Sequence, residues 1–193
     1  MEKTTKIWIE GTIVAALAMI LSLIPLEIGA SFSISLGQIP LTLFALRRGV
    51  KPGLLAGLIW GLLHFPLGKV WYLSVIQVLI EYPLAFTFVG LAGLYASSLQ
   101  KQIQLKQNKR VVFTVVQATF VGALARYFWH FLAGWAFWGA YAQWGMSPWL
   151  YSLVMNGLSG LATAVVTAVA LVSLYQLAPQ LYTPKDYRLV QSK

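Results

Sequence analysis

Long apolar stretches separated by short polar or basic segments dominate this chain. They read as six spans, at about Ile7–Leu26, Gln38–Leu46, Gly53–Leu67, Trp71–Ala96, Val111–Phe137 and Pro148–Leu177. Most approach the roughly 20 residues a helix needs to cross hydrocarbon. The second is too short to span alone and is expected to tilt or to extend into its flanks. No strand-like alternation of apolar and polar positions appears, which argues against a barrel. Backbone amides in lipid must be satisfied within the segment, so the spans are read as helices. The first follows a basic residue as a signal peptide does. It lacks a convincing small-residue cleavage pattern and five more apolar segments follow it, so it too is read as a helix. The expected architecture is all-α: one transmembrane domain over residues 1–193, a compact bundle of six helices.

Composition agrees with this picture. Of the 193 residues, 59% are hydrophobic and 10% charged, against roughly a quarter charged in soluble domains. With six spans, Lys3, Lys6, Arg47, Arg48, Lys51, Lys101, Lys106, Lys109, Arg110, Lys185, Arg188 and Lys193 fall on one side, and Lys69 falls on the other. By the positive-inside rule, that basic side and both termini are expected to be cytoplasmic. The same rule accounts for the net charge of +9, so nucleic acid is not an expected partner. There is no cysteine, which removes disulfides and thiolate metal sites. Neither a phosphate-cradling G-x-x-x-x-G-K-[ST] nor H-E-x-x-H occurs, and G-x-S-x-G is missing as well. No motif for hydrolysing ATP is present, so energy for any pumping has to come from another chain.

An ionisable group deep in a span costs at least a few kcal/mol and is a functional candidate by default. Glu81 in the fourth span, Arg126 and His130 in the fifth and Asn156 in the sixth are such groups, or polar neighbours of them. Counted from the span ends at about 1.5 Å per residue, all lie roughly 10–17 Å below the outer surface. Arg126 and His130, four apart, share a helix face, in a region dense with aromatics. Trp144 and Trp149 read as an interfacial belt, His64 as an interfacial or packing residue, and Lys69 as a solvated loop charge. A buried carboxylate among aromatic faces suits a flat organic cation, since each ring adds roughly 0.5–2 kcal/mol of cation–π attraction. Arg126 fits as an ion-pair partner that orients Glu81, or as a donor to a ligand's ring nitrogen or hydroxyl. Small residues recur every fourth position at Gly53, Gly57 and Gly61, at Gly11 and Ala15, and at Thr12 and Ala16. Such faces either pack within the bundle or dock on another membrane protein.

At these residues the chain resembles the thiamine-specific substrate-binding components of energy-coupling factor (ECF) transporters. The likeness runs from Ile-Glu-Gly at 9–11 to Ala178–Pro179. Its markers are A-L-R-R-G at 45–49, G-L-I-W-G-L-L-H at 57–64, I-E-Y-P-L-A-F at 80–86, R-Y-F-W-H at 126–130, F-W-G at 137–139 and S-P-W-L-Y-S-L-V-M-N at 147–156. The resemblance implies a multi-pass protein of the bacterial cell membrane that captures thiamine from outside. It implies partnership with a transmembrane coupling subunit and two cytoplasmic ATPases, with no cofactor, no metal and no catalytic residue of its own. It also implies a thiamine site made of Glu81, Tyr82, His130, Trp138, Tyr151 and Asn156, with Arg126 at a basic position and Trp71 at an aromatic one. Thr12, Ala15 and Ala16 match the family's docking face on the first helix. One departure is that the loop over residues 27–38 has no tryptophan where the family can carry one that closes over the ligand; Phe32 is the candidate replacement. The alternatives are a component for another vitamin or a pyrimidine precursor of thiamine, an intramembrane enzyme built on His130, and an autonomous cation transporter.

Overall fold

A computed structural model describes residues 3–28 and 31–184. Among the described residues the chain folds as six α-helices: α1 (Lys3–Ser22), α2 (Gln38–Arg48), α3 (Val50–Leu63), α4 (Val75–Gln104), α5 (Asn108–Phe137) and α6 (Pro148–Leu177). Between α1 and α2 lies a short antiparallel pair, β1 (Glu27–Ile28) and β2 (Phe32–Ser33), in which Ile28 faces Phe32. The all-α bundle is as expected. Four helices, α1, α4, α5 and α6, are long and apolar enough to cross a membrane. At 1.5 Å per residue, α2 is only about 16 Å long and α3 about 21 Å. The shortness foreseen for the second segment therefore extends to the third. The tail cations Lys185, Arg188 and Lys193 lie outside the described residues.

Boundaries moved where polar residues hide helix. α1 starts at Lys3 and α5 at Asn108, while α4 runs on through Ser97, Ser98 and Gln100 to Gln104. Only α6 has the span read from sequence, because Pro148 occupies its first turn and Pro179 follows its end. A missing amide proton costs nothing at the first position of a helix. α2 and α3 are separated by one residue, Gly49, at φ 89°. Side chains other than glycine rarely adopt that conformation, and the Gly49 N–H still reaches the carbonyl of Ala45 at 2.7 Å.

The glycine face of α3 is used inside the bundle. A methyl group at Gly53 would meet Gly90 and Ala45, one at Gly57 would strike the Phe86 carbonyl, and one at Gly61 the Tyr82 carbonyl. α3 and α4 thus touch backbone to backbone, which lipid-embedded helices achieve with small residues. Gly11 and Ala15 also face inward, with Gly11 against the Phe44 ring and Ala15 fully buried. Thr12 and Ala16, one residue on from each, stand exposed on α1.

Two apolar clusters fill the bundle. One joins Ala15, Met19, Leu41, Phe44, Trp60 and Phe86. The other joins Leu46, Leu99, Val111, Val115, Leu171 and Tyr182. Alternating helix directions bring the end of α3, the start of α4, the end of α5 and the start of α6 to one end of the molecule, where the polar candidates are.

Candidate functional site

Glu81 and Tyr82 sit in a distorted turn of α4. Residues Ile80–Leu84 form a π-helical turn containing Pro83. Proline lacks an amide proton, and its ring collides with the carbonyl four residues back in a regular helix. The wider turn accommodates it, and such bulges recur at functional sites. The Thr87 hydroxyl donates to the Pro83 carbonyl at 2.6 Å. Further along, Val89–Tyr95 tightens to a 3-10 turn beside Gly53 of α3.

The Glu81 carboxylate is held by neutral donors. Trp138 at the end of α5 donates its indole N–H to Oε1 at 2.8 Å, and the Gln77 amide donates to Oε2. Among the described residues no ion pair joins Glu81 to Arg126; the salt bridges lie between Glu10 and Arg47 and Arg48. This corrects the ion-pair reading of Glu81 and Arg126. Trp138 in turn packs on Tyr141, with ring centres 5.3 Å apart.

Arg126 is buried, with 5% of its surface exposed, and its company is aromatic. Its guanidinium carbon lies 4.2 Å from the Phe86 ring centre, 5.0 Å from Trp60 and 5.1 Å from Tyr127. Its Nε donates to His130 Nε2 at 3.4 Å. Nη1 is buried without a hydrogen-bond partner. The shared face expected from the four-residue spacing of Arg126 and His130 is present. His64 is a packing residue: Nδ1 lies 3.0 Å from the Trp60 carbonyl and its ring 4.5 Å from Phe86. Tyr82, also buried, is 5.3 Å from His64 and accepts a hydrogen bond from the Trp71 backbone N–H at 2.9 Å. Trp71 as a residue is 76% exposed, so in this conformation it meets the site through its backbone.

On α6, the Tyr151 hydroxyl shares a 2.8 Å hydrogen bond with Ser31. Asn156 bonds Ser152 on its own helix, at 3.0 Å to the carbonyl and 3.1 Å to the hydroxyl. Gly134 of α5 faces Ser152 and Asn156 closely enough that a methyl group there would press on both. Trp144 does more than form a belt: it adopts φ 55° and lies 5.8 Å from the Tyr151 ring. The segment after Ser31 is tied down α6, with the Ser33 N–H donating to Ser159 and the Ser35 N–H to Thr163, both at 3.1 Å. Phe32 is half-buried within this strip.

Three residues of the site, Gln77, Trp60 and Phe86, are not among the sequence-derived candidates. Gln77 stands four residues before Glu81, a same-face spacing that could have drawn attention to it. Trp60 and Phe86 lie in apolar runs and carry no such signal. A separate apolar groove of about 440 Å³, lined by Leu58, Leu79, Ile80, Pro83, Leu84 and Thr87, lies beside the π turn. None of the polar candidates lines it.

Comparison with known proteins gives a consistent picture. A family model described as thiamine transporter protein (Thia_YuaJ) matches residues 8–183. The thiamine transporter ThiT of Lacticaseibacillus paracasei is 40% identical over 189 residues, covering 96% of this chain and 94% of that protein. ThiT of Bacillus subtilis is 35% identical over 176 residues, 90% of this chain and 92% of that one. The structure of ThiT from Listeria monocytogenes is 44% identical and superposes with a TM-score of 0.93, covering 95% of this chain and all of that chain.

Proposed function

The chain belongs to the thiamine transporter protein family, and we propose that it is the thiamine-capturing membrane subunit of an ECF transporter, with Glu81 as countercharge to the vitamin's thiazolium. The observation that carries this reading is the carboxylate of Glu81, held by the neutral donors Trp138 and Gln77 with Arg126 turned away into an aromatic cage. A half-buried carboxylate inside the bundle with no cation beside it favours a ligand that supplies one.

In this reading Trp138 and His130 stack on the thiazolium, and Glu81 faces its charge. Glu81 and Asn156 bond the aminopyrimidine, and Tyr82 and Tyr151 lie near the hydroxyethyl group. Arg126 offers its unpartnered Nη1 to a neutral acceptor on the ligand, such as that hydroxyl, and Trp71 closes the edge. The protein spans the membrane six times with both termini in the cytoplasm, α2 and α3 completing their crossings through the segments that flank them. Transport then requires a transmembrane coupling subunit and two ATPases, since the chain carries no nucleotide motif of its own.

Docking to the coupling subunit falls to the exposed Thr12 and Ala16. Ala15, wholly buried, supports that face from within. Thr12→Trp and Ala16→Trp should therefore bind thiamine normally and abolish uptake in cells; normal uptake by both, with the coupling subunits present, would remove α1 as the docking face.

The binding function is tested by titrating the detergent-purified protein, stripped of bound vitamin, with thiamine while following tryptophan fluorescence. Saturable quenching that riboflavin and biotin do not reproduce is expected. No response to thiamine, or equal competition from a bare aminopyrimidine, points to a different ligand of the same class.

A further inference from the structure

Gln77 is fully buried, and its side chain is engaged at every polar atom. Nε2 donates to the Trp71 carbonyl at 3.1 Å and to Glu81 Oε2, and Oε1 accepts the Leu73 N–H at 3.0 Å. The backbone N–H of the same residue goes to Ser74 Oγ, which caps α4. A neutral primary amide supplies two N–H donors and one carbonyl acceptor. Here one donor goes to the carboxylate, one to the loop carbonyl, and the acceptor to the loop amide. No other side chain of this size meets all three requirements. A glutamate brings a second carboxylate against Glu81 and no donor. A methionine leaves the Trp71 carbonyl, the Leu73 amide and one carboxylate oxygen without the partner that joins them.

The loop before α4 is tied a second time, through the Trp71 N–H and the Tyr82 hydroxyl. Glu81 and Tyr82 are neighbours in the π turn, yet each is tied to the 71–73 segment, one through Gln77 and one directly. Trp138 fixes the other carboxylate oxygen from α5. The carboxylate is thereby clamped between α5 and the outer loop, and Gln77 is the link to that loop.

We propose that Gln77 is a positioning residue of the binding site, locking the rotamer of Glu81 and joining it to residues 71–73 so that carboxylate and loop move as one. This rests on the assignment of Glu81 as the group that faces the ligand's positive charge. A preset carboxylate needs no reorganisation when the ligand arrives, and preorganisation of this kind raises affinity.

The test is a double-mutant cycle with thiamine affinity as its readout. Gln77→Met is expected to weaken binding about tenfold in the wild-type background but no more than about twofold in Glu81→Gln, where nothing is left to position. Amide exchange measured by mass spectrometry should rise in the peptide spanning residues 70–74 in Gln77→Met and stay unchanged in Glu81→Gln. Should Gln77→Met fail to fold, Gln77→Asn, still a neutral amide but one methylene shorter, replaces it in the same cycle with the same expectation. Equal fold-losses in the two backgrounds, or wild-type affinity in Gln77→Met, would overturn the positioning role while leaving the thiamine site intact. Wild-type protein that binds no thiamine sinks the functional reading itself, and the two failures are thus distinct.

Discussion

The two ends of the bundle treat charge in opposite ways. Where α1 begins and α6 stops, Glu10 meets Arg47 and Arg48, each at 2.5 Å. Arg47 also donates to the carbonyls of Gln180, Leu181 and Thr183 at 3.2, 3.0 and 2.8 Å. Gln100 of α4 adds a bond to the Arg47 carbonyl at 2.8 Å. The Tyr182 hydroxyl closes the clasp on the Leu171 carbonyl at 2.6 Å; burial raises this phenol above its ordinary range, so it stays a donor. At the other end Glu81 has amide and indole donors and Arg126 has ring faces. Acid is answered by base at one end and by neutral groups at the other. The first arrangement is complete as it stands and fastens α1, α2, α4 and the segment after α6. The second leaves a carboxylate and a guanidinium nitrogen with capacity unused, which is what a ligand site requires.

The contrast is broken most severely at Glu81. Glu81→Gln keeps the shape but removes the countercharge and can accept from only one of the two donors, and thiamine affinity should fall by about 2–4 kcal/mol in calorimetry. Arg126→Met should weaken thiamine about tenfold through the lost charged donor. Because it also removes a buried charge with an orphan nitrogen, it should not lower the unfolding temperature. Glu10→Gln should do the reverse. It removes the carboxylate charge that Arg47 and Arg48 share and should cost about 1–2 kcal/mol of stability, with thiamine affinity unchanged. The smallest effect belongs to Tyr182→Phe, about 1 kcal/mol of stability from one hydrogen bond, read as a shift in thermal unfolding with normal binding.

Much of this was legible in the sequence because membranes make charge conspicuous. Glu81, Arg126 and His130 stand out in apolar runs, and Arg126 and His130 do share a face. The Glu81–Arg126 pair did not materialise because sequence separation gives no information on which way two helices turn their faces. Trp60 and Phe86, which receive the guanidinium, look like ordinary packing residues when read singly. Gln77 escaped notice since an uncharged amide one turn from a glutamate does not announce a role. The helix just after it widens to a π turn at Pro83, a local event that hydropathy does not register. The small-residue spacing of α1 was visible, but only burial separates Ala15, which faces the core, from Thr12 and Ala16, which do not. Residues 27–38 lacked a tryptophan, and their hydrogen bonds to Tyr151, Ser159 and Thr163 follow no sequence period at all.

In the proposed site Glu81 answers the positive charge of the ligand. That role is tested by comparing thiamine with the uncharged isostere in which carbon replaces the thiazolium nitrogen, titrated into the wild type and into Glu81→Gln. The wild type should prefer thiamine by about tenfold or more, and Glu81→Gln should lose most of that preference, leaving only the cation–π share of the rings. Equal affinity of the wild type for the two compounds, or an undiminished preference in Glu81→Gln, would contradict the account.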